Sequence, residues 1–228
     1  MTGKQPLLTN GKLATLIVVA ILLIDQAIKI WVKTSMTLHE NIHVFDWFYI
    51  TFIENKGMAF GMELGSKILL SLFRIVAIVA LAYYIRLEVI RKARTGYIIC
   101  LAFVLAGAAG NLIDCMFYGL IFNESSPYYL SYFVPFGSGY APFLMGKVVD
   151  MFYFPLIESD WPSWVPFVGG DHFVFFSPVF NFADACISCS VVWLLLFYRE
   201  EIGRISWNRD KEKEVQEEKE VLEEKEAQ

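Results

Sequence analysis

The sequence predicts a mainly α, polytopic membrane protein: a bundle of four transmembrane helices with two long exported loops. Three observations predict it. The 228 residues are 56% hydrophobic and 19% charged, with a mean hydropathy of +0.48. A soluble domain averages about 45–50% apolar and roughly 25% charged. Four stretches reach the roughly 20 mostly apolar residues that a spanning helix needs. Finally, the basic residues are segregated. Connections 34–65 and 120–180 hold only Lys56 and Lys147 among 93 residues, whereas 87–95 alone holds Arg91, Lys92 and Arg94.

The first span is 13–33. Its apolar core 13–24 follows Lys4 and Lys12, as in a signal peptide. No small-x-small cleavage site follows, and Asp25, Lys29 and further apolar residues continue the helix, so it is read as a span. The second span is 66–86, the third 96–119 and the fourth 181–199. Basic flanks mark the cytosolic side, which places both termini in the cytosol and exports loops 34–65 and 120–180. Loop 120–180 carries 18 of the chain's 37 aromatics. Trp161, Trp164, Phe167, Phe173, Phe175 and Phe176, broken up by prolines and glycines, suit the headgroup level. This loop is expected to lie on membrane lipid; a small packed loop core is the alternative. Residues 1–202 form the membrane domain. Residues 203–228 form a Glu/Lys-rich cytosolic tail with no chemistry implied.

Charge and cysteine usage narrow the function. The formal net charge is −5, and residues 209–228 account for −4 of it. No basic surface remains for a nucleic acid. Cys100, Cys115, Cys186 and Cys189 lie in or beside apolar segments, which argues against a disulfide framework. His39, His43 and His172 form no convincing metal set, and neither a nucleophile elbow nor a phosphate-binding loop is present.

The informative residues are carboxylates where a bilayer should exclude them. Asp25 lies just past the midpoint of span one and Lys29 one turn further out. Asp114 is five residues from the outer end of span three, about 7 Å deep. Asp184 is in the first turn of span four, and Asp150 sits in the apolar stretch GKVVDMFYFP. Four aspartates from four segments thus converge on one leaflet. Asp25 and Lys29 also suit a structural i,i+4 ion pair. Asp114 with Asn111 suits a polar helix clasp. Asp184 after Asn181 suits a helix N-terminus. Two carboxyls brought together in apolar company share one proton, the arrangement of aspartic proteases. A proton relay in a transporter is the rival use of such groups, although four helices, no repeat and confinement to one leaflet count against it.

Five motifs carry a resemblance. LLIDQAIKIWV, IENKGMAFG (53–61), GNLIDCMFYG (110–119), KVVDMF (147–152) and FNFADACI (180–187) occur in this order on a four-span frame. Together they resemble the lipoprotein signal peptidases (signal peptidase II). The resemblance implies an aspartyl endopeptidase of the bacterial inner membrane that cuts lipidated prolipoproteins before a diacylglyceryl-modified cysteine. It implies no cofactor and no metal, and the expected state is a monomer. Motif by motif, the catalytic pair falls on Asp150 and Asp184. Substrate-binding or supporting positions fall on Asp25, Lys29, Asn55, Gly57, Asn111, Asp114 and Asn181. The family fold adds a small strand-rich cradle, supplied by 34–65, and an interfacial helix outside the membrane. Two departures stand out. Cys115 occupies the family's usual Arg position, for which Arg74 in span two is a candidate substitute. Residues 120–145 and 155–175 are expansions.

Overall fold

The computed structural model describes residues 9–55 and 67–203. Among the described residues, three helices are long and apolar enough to cross a membrane. They are α1 (Asn10–Ser35), α2 (Lys67–Ile90) and α3 (Thr95–Ile113), which runs on through a π-helical turn (Asp114–Tyr118) to Ile121. The fourth, α4 (Phe182–Phe197), has 16 residues, about 24 Å at 1.5 Å per residue and about one turn short of a bilayer core. The helix breaks at Tyr198 and resumes over 199–203. The predicted tail, apart from Gly203, lies outside the described residues.

Helix α1 shows how a bilayer inverts the usual pattern. The Thr9 side chain accepts the Lys12 N–H at 3.4 Å and starts the helix. Its buried positions Ala14, Ile21, Asp25, Lys29 and Val32 fall on one face at helical spacing. Leu16, Leu23 and Trp31 face outward, about half exposed or more. The charged residues therefore occupy the protected stripe and the apolar ones face lipid.

Helix α3 packs against α1, α2 and α4, and two glycines set the spacing. A Cβ at Gly107 would lie 2.4 Å from the Ala183 carbonyl oxygen, and one at Gly110 would lie 2.6 Å from Asp25 Oδ2. Any larger residue would push α4 and the Asp25 carboxylate away.

Three antiparallel strands sit at one end of the bundle in the order β1 (Asn41–Phe45), β2 (Phe48–Asn55), β3 (Val148–Tyr153). The first loop supplies β1 and β2 of the expected cradle; the third strand comes from the second loop. Pairing sets Ile53 opposite Asp150 and Asn55 opposite Val148. Phe52, Val149 and Met151 pack on Val32 and Met36 of α1 and on Tyr118 and Phe122 after α3, clamping the sheet to the helices.

Residues 122–147 are a packed loop that folds back over the end of α3. The Val134 N–H donates to Ile121 O at 2.8 Å and the Gly146 N–H to Cys115 O at 2.8 Å. This expansion accounts for the long separation of Asp114 from Asp150. The second expansion is a hairpin, β4 (Ile157–Asp160) with β5 (His172–Phe175), and Trp164 and Phe167 at its tip are almost wholly exposed. Aromatics are exposed in both halves of this loop, Tyr128 and Phe136 in the first and Trp164 and Phe167 in the second. Among the described residues, 36–55 and 122–181 contain no helix; the rest of the first exported loop, where an interfacial helix could also lie, is outside the described residues.

Candidate active site

Asp25, Asp114, Asp150 and Asp184 converge, as the depth argument expected, and one lysine and two asparagines join them. Lys29 lies 2.9 Å from Asp25 Oδ2 and 2.9 Å from Asp114 Oδ2, with all three side chains at most 1% exposed. Its Nζ also donates to Asn111 Oδ1 at 2.8 Å. Both carboxylates reach other segments. Asp25 Oδ1 accepts the Ala183 N–H at 3.0 Å, and Asp114 Oδ2 accepts the Val149 N–H at 3.3 Å. One ion cluster therefore ties α1 and α3 to β3 and to the start of α4. Asp114 opens the π-helical turn, a feature frequent at functional sites because it redirects side chains from the regular helix.

Asn181 links the other pair. Its Nδ2 donates to Asp150 Oδ1 at 2.7 Å and to Asn111 Oδ1 at 3.1 Å. Its Oδ1 accepts the Asp184 N–H at 2.9 Å, while Asp184 Oδ2 accepts the Asn181 N–H at 3.3 Å, a reciprocal capping box. Asn111 Nδ2 donates to Asp184 Oδ1 at 2.8 Å. The helix-cap reading of Asp184 is therefore correct, and the cap holds the carboxylate beside Asp150. Asp184 is half-buried and Asp150 buried.

The electrostatics of Asp150 follow from this setting. Burial pushes its carboxyl up from 3.8 to about 7, and the Asp184 charge adds to the effect. Hydrogen bonds from Asn181 and Asn55 and the charge of Lys29 oppose it. A buried, protonatable carboxyl beside a second, better-solvated one can divide acid and base roles at neutral pH. Among the described residues no group of three or more His, Cys, Asp or Glu side chains is placed to hold a metal.

Asp25, Lys29, Asn55, Asn111, Asp114, Asp150, Asn181 and Asp184 thus all belong to one connected network; Gly57 lies outside the described residues. Two features escaped the sequence reading. Gln26 Nε2 reaches Asp114 Oδ1 at 2.9 Å and Asp25 Oδ2 at 3.2 Å, and its Oε1 accepts from Tyr118 OH at 3.2 Å. An amide directly after Asp25 in a spanning helix was the available signal. Beside the network, Glu54 pairs with buried Lys33 and with Lys147 at 2.9 Å, and Ser125 donates to it at 2.8 Å. The two lysines hold the Glu54 carboxyl below its usual range in spite of burial. Finally, Arg74 Nη1 donates to Cys115 Sγ at 3.3 Å, so the candidate substitute cation does reach the Cys115 position.

Residues 17–199 match the profile of signal peptidase (SPase) II. The chain belongs to the signal peptidase II family. It is 51% identical over 193 residues to the lipoprotein signal peptidase of Porphyromonas gingivalis, covering 84% of each chain. It is 35% identical over 186 residues to that of Amoebophilus asiaticus, covering 78% of this chain and 74% of the relative. Membership makes it a membrane peptidase and selects that reading over the transporter. The fold resembles a bacterial membrane enzyme solved by the in meso method, with a TM-score of 0.54 at 22% identity over 84% of this chain and 90% of that one.

Proposed function

We propose that Asp150 and Asp184 are the catalytic dyad with which this signal peptidase II family enzyme removes signal peptides from prolipoproteins, cutting just before a diacylglyceryl-modified cysteine. The observation that carries the reading is the Asn181 side chain and backbone, which hydrogen-bond both carboxylates at once. Asp150, the more buried, holds the shared proton and donates it to the scissile carbonyl. Asp184, at the helix N-terminus and facing the more open side, takes a proton from the attacking water. Asp25, Lys29 and Asp114 position the surrounding segments, and Asn55 and Gly57 receive the substrate backbone. Both termini face the cytosol and the dyad lies at the outer leaflet, so the peptide is cut while the acyl chains stay in the bilayer. The exposed aromatics of the β4–β5 hairpin rest on the lipid, and the working unit is a monomer.

Single-turnover cleavage of a lipidated prolipoprotein tests the assignment. Asp150→Asn and Asp184→Asn should each lose about 10²–10⁴-fold, the usual contribution of an acid–base group. Asp25→Asn and Asp114→Asn should weaken folding or binding more than chemistry. Near-normal cleavage by either dyad variant, with Asp114→Asn inactive but folded, would move the catalytic role to Asp114.

A further inference from the structure

Far from the carboxylates, α1 and α2 diverge and leave a groove. Along α1, Lys12 is 13 residues from Asp25, about 20 Å at 1.5 Å per residue. The groove has a volume of about 420 Å³, with walls that include Ala14, Val18 and Val19 of α1, Ala82 and Val89 of α2, and Leu105 of α3. A shallower surface on α1, lined by Lys12 and Leu16, adjoins it at Gly11, Thr15 and Val19.

Two cations flank this region. Arg86 lines the groove on α2 and Lys12 lines the adjoining surface on α1. Both are exposed, and among the described residues neither side chain has an ion-pair partner. Their neighbours differ: Arg91 pairs with Glu88 at 2.9 Å and Arg94 with Glu201 at 3.0 Å. Glu88, the nearest acidic residue in sequence, is thus already neutralised.

We infer that this groove binds an anionic phospholipid, an acyl chain lying between α1 and α2 and the phosphate between Lys12 and Arg86. Apolar walls flanked by basic side chains between spanning helices match the chemistry of an anionic headgroup with its attached chain. The other apolar occupant at hand is a substrate signal peptide. Its amino-terminal region is positively charged, and it would meet Lys12 and Arg86 with like charge. Charge therefore favours the lipid. Each cation near an anionic headgroup contributes roughly fivefold, so the pair contributes about 30-fold.

Native mass spectrometry of the purified full chain in detergent, titrated with dioleoyl phosphatidylglycerol or dioleoyl phosphatidylcholine, tests this. The wild type should retain one phosphatidylglycerol about 30-fold more tightly than phosphatidylcholine. Lys12→Gln with Arg86→Gln should abolish that preference. Ala82→Trp, which fills the groove, should lose both lipids. Lys92→Gln, which removes an equal charge from the neighbouring turn, should change nothing. All these variants should still cleave prolipoprotein, which reports an intact fold independently of the lipid. Equal retention of the two lipids by wild type, unchanged preference in the double variant, or equal loss in Lys92→Gln would overturn the proposal. So would cross-linking of a signal peptide to a cysteine at position 82 in phosphatidylglycerol nanodiscs.

Discussion

Replacing Asn181 with Ala should move the alkaline limb of the pH–rate profile upward, a less obvious outcome than simple loss of activity. The working form of the proposed dyad carries one proton. Activity falls at high pH when Asp150 ionises, near its value of about 7. The Asn181 amide donates to Asp150 Oδ1 at 2.7 Å and favours the ionised form. A hydrogen bond to a charged group is worth about 1.5–3 kcal/mol, and one pKa unit corresponds to about 1.4 kcal/mol. Removing it should raise the alkaline limb by about 1–2 units while the plateau rate falls. The same change removes the side-chain cap of α4, at a cost of about 1 kcal/mol. Asn181→Ser separates the effects, since serine caps a helix well but is too short to reach Asp150. It should keep stability and still shift the limb. Single-turnover cleavage between pH 5 and 9, with thermal unfolding of each variant, provides the data. A limb that stays in place, or moves to lower pH, would refute the role given to Asn181.

Asp150→Asn should be inactive yet more stable than wild type at alkaline pH. A raised carboxyl pKa means the folded protein keeps a proton that the unfolded chain releases near pH 4, so stability falls as pH rises from about 4 through 7. The wild-type unfolding midpoint should drop between pH 5 and 8, and that of the variant should drop less; parallel curves would count against a buried protonated Asp150. Arg74→Gln should lower turnover, because the guanidinium on Cys115 Sγ holds the π-helical turn that begins at Asp114; full activity would show that Arg74 merely snorkels. Chelators should leave cleavage unchanged, because the dyad activates water without a Lewis acid, and zinc-reversible inhibition would refute that.

The helices were legible because apolar runs of spanning length have few other uses. The carboxylate cluster was legible because ionisable groups in a bilayer are costly, so their depths carry information. Depth alone left six possible pairs among Asp25, Asp114, Asp150 and Asp184, and motif order, not physics, selected one. What stayed hidden depends on pairing across the chain. Nothing local shows that β3 would join β2, that Gln26 would reach Asp114 across 88 positions, or that Glu54 would gather Lys33, Ser125 and Lys147. The π-helical turn also has no local signature. The hairpin over 157–175 reads as an aromatic loop because its strands are exposed on most positions and lack the alternation that marks a half-buried strand.

The bond between Asp25 and the Ala183 amide spans 158 positions, and this has a consequence for biogenesis. At roughly 5–20 residues per second, about 8–30 seconds of translation separate the two partners. Lys29, one turn away in the same helix, is the counter-ion at hand for Asp25 before α4 exists. Asp114 arrives with α3 and shares that same lysine. The proposed catalytic pair, Asp150 and Asp184, is completed only when α4 docks. The order of synthesis thus brings together the charges of α1 and α3 first and leaves the proposed dyad incomplete until the last helix is in place.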